Sequence, residues 1–309
     1  MHSLFSSSTE EKKLFKSGFI GIVGRPNVGK STLLNKIIGE KIAIATRKPQ
    51  TTRNRITGIK TTETGQFVFL DTPGIHHATS PLNRQMVSTA VDTITDVDVV
   101  LFLTEAHTEL NDDDHLIVTS LKDKKIPVIL VINKIDLIEK NALLPLIDTM
   151  RRMLPFADIV PLSALRGFNV DRLLTVIWDI LPEGPKYFPD DMVTESSERF
   201  LAAEIIREKI TLMTSQEIPY SSAVVVDSFK EDKRKNLIII QATIHVEKQS
   251  QKGIIIGERG SMLKRIGTQA RLEMERFFGT KIYLELFVKV KKAWTRDPRI
   301  LEEFGYQKR

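Results

Sequence analysis

An open, doubly wound α/β sheet followed by a smaller α+β unit is the architecture that this 309-residue chain predicts. Three observations carry it. Continuous apolar runs of strand length alternate with helix-period segments through the first ~180 residues, as buried parallel strands and their crossover helices require. A glycine-rich loop, Gly24-Arg25-Pro26-Asn27-Val28-Gly29-Lys30-Ser31, joins the first apolar run to the first helix. The segment Leu181-Pro182-Glu183-Gly184-Pro185-Lys186-Tyr187-Phe188-Pro189 then ends the alternation, because its prolines and glycine rule out regular structure.

Taken in order, Gly18 to Val23 reads as a strand and Lys30 to Ile38 as a helix; Arg55 to Thr61 and Gln66 to Leu70 are strands, and Leu82 to Thr95 a helix. Strands at Val97 to Leu103, Val128 to Ile132 and Asp158 to Leu162 interleave with helices near Asp113 to Leu121, Ala142 to Met153 and Val170 to Leu181. Asn111-Asp112-Asp113-Asp114 has the look of a metal cluster, but acidic residues at this place cap a helix N-terminus. Beyond the proline-rich break come a helix (Glu198 to Met213), strands (Ser222 to Phe229, Leu237 to Val246), a helix ending at Ile256, another from Met262 to Phe277, and a strand from Lys281 to Val290. The expected domains are a leader at 1–17, a first domain at 18–184, a linker at 185–196 and a second domain at 197–309.

Composition is 41% hydrophobic and 27% charged, which suits two cores, and no apolar run approaches the roughly 20 residues that span a bilayer. Met1 to Ser17 is polar and lacks the apolar stretch of a secretion signal, so it reads as a frayed leader. With no cysteine, disulfide frameworks, thiol nucleophiles and zinc ribbons are excluded, and a cytosolic chain is expected.

Gly24 to Ser31 is a complete G-x-x-x-x-G-K-[ST] phosphate loop. Its backbone N–H groups would turn inward around a phosphate chain at the start of a helix, continuing through Thr32, whose dipole favours the anion. Lys30 would neutralise the β- and γ-phosphates, and the Ser31 hydroxyl would hold Mg²⁺. Asn133-Lys134-Ile135-Asp136 follows another apolar run and reads guanine. The Asp136 carboxylate accepts two hydrogen bonds from the ring N–H and exocyclic amine of that base, whereas adenine would leave the carboxylate unpaired. Asn133 would tie the base loop to the phosphate loop, the Lys134 stem would cover the base, and Ser163-Ala164-Leu165 would offer backbone N–H groups to the guanine carbonyl. Asp71-Thr72-Pro73-Gly74, after Phe67 to Leu70, is a D-x-x-G turn: Asp71 suits a role at Mg²⁺, and the Gly74 N–H can approach the γ-phosphate. Four such segments in this order describe a GTP/GDP-binding domain with its site at the carboxyl ends of the strands.

Ile42 to Ile56 is polar and basic, and it lies where a nucleotide-sensitive loop belongs. Within Lys48-Pro49-Gln50-Thr51-Thr52-Arg53, Thr52 is preferred over Thr51 as the threonine that reaches Mg²⁺. Ile75 follows Gly74 at the position where Ras-like proteins carry a water-orienting Gln, and an aliphatic side chain cannot take that role. Another source of charge or orientation is needed, and Asn27 is a candidate ligand for a potassium ion. Lys30, Thr52, Gly74 and Asn27 are therefore the expected catalytic set. His76 and His77 are not assigned a role.

In the second domain, Gly257-Glu258-Arg259-Gly260 joins two helices by a tight turn preceded by Ile256. Such a G-x-x-G turn can meet a sugar-phosphate backbone while bases lie in the apolar groove beside it, with Lys264 and Arg265 following. From Lys252 to Arg309 the chain carries 14 Lys and Arg against 7 Asp and Glu, so the net +6 of the whole resides there. A basic segment could also seek anionic lipid. Lys291, Lys292 and Trp294 interleave charge with an aromatic ring, which either stacks on an unpaired base or packs the last helix onto the domain.

The phosphate loop, K-P-Q-T-T-R, D-T-P-G, N-K-x-D, S-A-L and Ile254-Ile255-Ile256-Gly257-Glu258-Arg259-Gly260-Ser261 together resemble the Era family of GTPases over nearly the whole length. The resemblance implies a Ras-like P-loop GTPase domain joined to a type II KH domain that binds the 3′ end of 16S ribosomal RNA during 30S assembly. It further implies a monomer of the bacterial cytoplasm with some peripheral membrane association. Two other readings stay open on the residues alone: a GTP-dependent membrane or signalling module, and a non-enzymatic RNA binder with GTP as a structural ligand.

Overall fold

The computed structural model describes residues 14–107, 109–215 and 217–306. Six strands form its first sheet: β1 (Lys16–Gly24), β2 (Ile56–Thr61), β3 (Gly65–Asp71), β4 (Val99–Glu105), β5 (Val128–Asn133) and β6 (Asp158–Pro161), in the spatial order β2-β3-β1-β4-β5-β6. Every neighbour pair is parallel except β2 with β3. That exception follows from the short connection at Thr62 to Thr64, which closes a hairpin through Thr62 N–H donating to the Gly65 carbonyl at 2.8 Å. β1 starts inside the expected leader, at Lys16; residues 1–13 lie outside the described residues.

Helices α1 (Lys30–Ile38), α2 (Pro81–Thr95), α3 (Asp112–Leu121), α4 (Leu143–Met153) and α5 (Val170–Ile180) cover the two faces of the sheet. One core gathers Ile20, Leu33, Leu101 and Leu173, and the other Val23, Val68, Phe102 and Met150. Both sheet faces are buried, which is why these strands are apolar throughout. The acidic run before α3 is a cap: the Asn111 side chain accepts from the N–H groups of Asp113 (3.1 Å) and Asp114 (3.2 Å), and Asn111 N–H donates to the Asp114 carboxylate.

Beyond α5 the chain runs along the β2–β3 edge. Ile59 N–H donates to the Val193 carbonyl at 2.9 Å, and the Gln66 side chain bonds the backbone of Tyr187 and Phe188. A segment without regular structure thus covers the edge of β2. The second unit comprises α6 (Glu198–Met213), α7 (Ile218–Ser221), β7 (Ala223–Asp232), β8 (Leu237–Val246), α8 (Gln249–Ile256), α9 (Ser261–Phe278), β9 (Lys281–Val290) and α10 (Pro298–Glu303). Its sheet has the order β7-β8-β9, with β8 antiparallel to β7 and parallel to β9. The short helices α7 and α10 have too few residues to show a period, and they are absent from the sequence reading.

The two units meet through polar groups of the loop before β2. Arg53 Nη1 donates to the Ser222 carbonyl (2.8 Å) and the Tyr306 hydroxyl (3.1 Å), and Nη2 to the carbonyls of Pro219 (2.7 Å) and Tyr220 (3.0 Å). Arg207 of α6, paired with Glu204, donates to the Thr51 carbonyl, and Lys48 Nζ reaches the carbonyls of Thr211 and Thr214. Beside them an apolar seam joins Leu82 and Met86 of α2 to Trp294, Leu301 and Tyr306.

Of the two readings of Trp294, the structure selects packing. Its indole is fully buried, donates to the Ser221 carbonyl at 2.9 Å and stacks on Tyr306 with centroids 5.9 Å apart, so it offers no face to an RNA base. Trp294→Ala should cost the second unit about 3–5 kcal/mol, the scale for emptying a buried aromatic site. Hydrogen exchange of β8 amides measures the loss, and Trp294→Phe should lose less while leaving RNA affinity unchanged.

Candidate functional site

The first site lies at the carboxyl ends of β1, β3, β5 and β6, where the parallel strands deliver their loops together. Ser31 lies in the first turn of α1, and its hydroxyl donates to Asp71 Oδ2 at 2.6 Å, so the hydroxyl of Thr52, 2.8 Å away, is the donor toward Ser31. Three oxygen-bearing side chains are thereby gathered from three loops. Thr51 turns elsewhere: its hydroxyl donates to the Lys48 carbonyl at 2.7 Å. Asp71 Oδ1 is buried without a hydrogen-bond partner. An orphaned carboxylate oxygen beside two hydroxyls is a donor set suited to a hard divalent cation.

Lys30 is buried in the phosphate loop, with Nζ 3.0 Å from the carbonyls of both Gly24 and Arg25. Burial lowers its pKa to about 8, opposed by the carboxylate of Asp71. The Asp71 carboxyl is raised to about 6, chiefly by burial, against the pull of Lys30 and the Ser31 hydrogen bond. Gly74 packs so closely on the loop that a Cβ there would stand 2.6 Å from the Pro26 nitrogen, and Ile75 N–H donates to the Gly24 carbonyl at 3.2 Å. Only glycine allows that approach. The Ile75 side chain is fully buried, consistent with its exclusion from water chemistry.

Asn133 joins three loops. Its Nδ2 donates to the Val28 carbonyl at 2.7 Å, and its Oδ1 accepts from Ala164 N–H at 2.9 Å, so the phosphate loop, the base loop and Ser163-Ala164-Leu165 share one amide. Lys134 adopts φ 63° before a tight turn at Ile135–Leu137 that leaves Asp136 exposed. Ser163 is buried and Leu165 is 73% exposed. Thr32 follows Ser31 in α1, and the Thr72 hydroxyl donates to the Ile22 carbonyl at 2.7 Å, which fixes the turn containing Pro73. Asn27, at φ 67°, donates from its Nδ2 to the Arg47 carbonyl at 2.9 Å.

Several residues of this site escaped the sequence reading. Glu105, the last residue of β4, pairs with both Lys134 and Arg25, whose Nη2 is 3.4 Å away, and so bridges the base and phosphate loops. Asp114, raised in pKa by burial, faces Arg25 at 3.6 Å. The His76 ring lies 2.8 Å from the Gly74 carbonyl and 3.1 Å from the Gln50 amide nitrogen, joining the two loops that flank Mg²⁺ chemistry in the sequence reading. Position at a strand's carboxyl end was the one available signal, and only Glu105 carried it.

The second site is the turn after α8. Gly257 has φ 72°, and a Cβ there would stand 2.7 Å from Met262 Cβ, so that position admits no side chain. Ile256 precedes it half-buried; Glu258, Arg259 and Gly260 form a tight turn that leads into α9, whose first turns expose Lys264 and Arg265. Lys292 is exposed, while Lys291 pairs with Glu303 at 3.4 Å.

A family model described as 50S ribosome-binding GTPase matches residues 19–134, and one described as KH domain matches residues 217–295. GTPase Era of Syntrophus aciditrophicus is 63% identical over 293 residues, covering 95% of this chain and 96% of that one. GTPase Era of Geotalea uraniireducens is 55% identical, with 96% and 99% covered. Among solved structures, Era of Aquifex aeolicus bound to GDP.AlF4- superposes with a TM-score of 0.92 at 42% identity, covering 95% of this chain and 100% of that one. A second, Era in complex with MgGDPNP and nucleotides 1506–1542 of 16S ribosomal RNA, gives 0.92 at 43% identity with the same coverage. Guanine-nucleotide loops on one sheet, a G-x-x-G unit beyond it and this identity across both make the chain a member of the Era family of GTPases.

Proposed function

We propose that the protein is a GTP-hydrolysing switch whose second domain binds the 3′ end of 16S ribosomal RNA and assists assembly of the 30S subunit. The observation that carries the switch is the adjacency of Thr52 and Arg53. One residue stands beside Ser31 and Asp71, and the next fills its hydrogen bonds with backbone of the second unit. Order at the nucleotide site is thereby order at the domain junction. The RNA reading draws on the G-x-x-G turn, the basic C-terminal segment and the ribosomal RNA bound by a relative of the same fold. We place the first domain from Lys16, where β1 begins, to residue 184 and the second at 197–309, and the cell compartment in the cytoplasm. Among the described residues no helix is long and apolar enough to cross a membrane, so membrane association in this reading is peripheral.

In the proposed site, Ser31, Thr52 and Asp71 would hold Mg²⁺, which when bound would supply charge for the β- and γ-phosphates of the GTP substrate. Lys30 neutralises the same oxygens, and Gly74 presents its N–H to the γ-phosphate. Asp136 reads guanine while Glu105 steadies Lys134 above it. Asn27 spends its amide nitrogen on Arg47, so the amide oxygen is the end that would ligate potassium. That ion would supply orientation and charge where Ile75 supplies none.

Binding to a single-stranded oligonucleotide matching the 3′ end of 16S ribosomal RNA tests the function. The expected result is tighter binding with a GTP analogue than with GDP, lost in Gly257→Asp because position 257 of the clamp admits no side chain. No binding in either nucleotide state would contradict the RNA reading and favour the lipid one, which Gly257→Asp should leave untouched. A second experiment is turnover across pH in potassium and in sodium. The folded carboxyl of Asp71 titrates near 6, above the ordinary value of about 4. The metal-free fold therefore loses stability from this group as pH rises through that window, whereas Mg²⁺ affinity grows over it because the ion needs the carboxylate. Mg²⁺-dependent turnover should fall steeply below pH 6, and Asp71→Asn should remove the dependence; equal rates in the two salts would remove potassium from the account.

A further inference from the structure

Two loops must be in place together at the γ-phosphate, the one that carries Thr52 and the one that carries Gly74, and they leave the sheet side by side. Ile56 at the start of β2 is the register partner of Asp71 at the end of β3, so one antiparallel pair fixes the roots of both loops. Farther out the loops meet again at Gln50 and His76, where the Gln50 amide nitrogen and His76 Nε2 are 3.1 Å apart. The result is a closed frame, pinned at its two ends by these pairs, with Thr52 on one arm and Gly74 on the other.

Hydrogen-bond chemistry fixes the sense of that contact. The Gly74 carbonyl, 2.8 Å from His76 Nδ1, can only accept, so Nδ1 carries the proton and Nε2 turns its lone pair toward the N–H of the Gln50 amide. Both ring nitrogens are spent in this way, and the side chain is buried although it belongs to a polar loop. The Gly74–Ile75 peptide is consequently held at both ends, by His76 on its carbonyl and by the Gly24 carbonyl on its N–H. Gln50 reaches the ring at φ 57°, in the left-handed region also taken by Asn27 and Lys134 of the phosphate and base loops. Its turn is tied by Lys48 N–H donating to Thr46 Oγ1 at 3.1 Å and by Thr51 Oγ1 donating to the Lys48 carbonyl at 2.7 Å. Backbone strain over-determined by surrounding bonds is characteristic of segments whose geometry is functional.

We propose that the Gln50–His76 bond is a positioning clasp for GTP hydrolysis, closing the Thr52 loop onto the Gly74 loop at the γ-phosphate. It rests on the reading above that Thr52 serves Mg²⁺ and Gly74 the γ-phosphate. His76 acts through the Gly74 carbonyl, and Gln50 through the two residues that separate it from Thr52. Neither hydrogen-bonds Lys30, Asn133 or Asp136, which hold the phosphate chain and the base in that reading. The clasp therefore sets how fast bound GTP is hydrolysed and not how tightly it is bound. Alignment is worth much in rate, since a misplacement of about 1 Å can cost roughly a hundredfold. Ile75 offers no polar group to align the attacking water, which leaves that task to the placing of the loops around it.

Single-turnover hydrolysis by the whole chain with Mg²⁺ and potassium, measured beside affinity for a non-hydrolysable GTP analogue, tests the clasp. Gln50→Leu and His76→Phe should each slow hydrolysis about tenfold and leave analogue affinity within about twofold of the wild type. The double variant should be no slower than His76→Phe alone, because that change already removes the bond to Gln50. Gln50 is half-exposed on a loop and Phe keeps the volume of the imidazole site filled, so both variants should fold. An unchanged rate in either single variant, losses that multiply in the double, or analogue affinity that falls in step with the rate would overturn the proposal. Thr52→Ala separates the two readings. If it leaves Mg²⁺-dependent hydrolysis unchanged, the underlying site reading falls; if it abolishes hydrolysis while Gln50→Leu and His76→Phe do nothing, only the clasp falls.

Discussion

A buried guanidinium tolerates no loss of partners, and the Arg53 side chain has its partners in the other half of the molecule. Four acceptors from Pro219, Tyr220, Ser222 and Tyr306 surround it, so moving the loop away forfeits a set of hydrogen bonds to a charged group, each contributing about 1.5–3 kcal/mol net. Thr52 is the preceding residue. Whatever holds its hydroxyl near Ser31 and Asp71 also holds Arg53 against the second domain, and whatever releases one strains the other. Shifting a two-state equilibrium from 1:99 to 99:1 takes roughly 5.5 kcal/mol, so an interaction of this size is large enough to couple two sites. Arg207 on Thr51 and Lys48 on Thr211 and Thr214 make the dependence collective, since three side chains lock one loop.

The nucleotide site is built on the same logic of shared groups. Asn133 gives each end of one amide to a different loop, and Glu105 gives its carboxylate to Arg25 and Lys134. A base that displaced Lys134 would therefore disturb the phosphate loop as well. The opposed pKa shifts of Lys30 and Asp71 have the same origin. Each charge is buried and partly compensated by the other, and a phosphate chain with its metal would compensate both. Reciprocity then requires that if GTP tightens RNA binding, RNA tightens GTP binding by the same factor.

Much of this was legible in the chain because the relevant chemistry is local. The phosphate loop, D-T-P-G and N-K-x-D each need a fixed spacing of glycine, charge and amide, and the strands before them are apolar because both sheet faces are covered. Trp294 was not legible: an aromatic among lysines suits either a base or a core, and only the docking of α10 and Tyr306 buries it. Arg53 and Arg207 look like solvated charges until the fold brings α6 and the turn before β7 against them. His76 and Gln50 are 26 residues apart and meet only because two loops converge. The antiparallel course of β2 was equally hidden, since strand direction depends on the length of a connection and not on the pattern of the strand. Local motifs announced themselves, whereas groups whose role depends on a distant partner did not.

The central claim is that the loop carrying Thr52 transmits the nucleotide state through Arg53, and its direct test compares RNA affinity in the GTP-analogue and GDP states for the wild type and for Arg53→Ala. The account predicts a ratio well above one in the wild type that collapses toward one in the variant, while GTP and RNA each still bind alone. An undiminished ratio in a folded Arg53→Ala protein would contradict it.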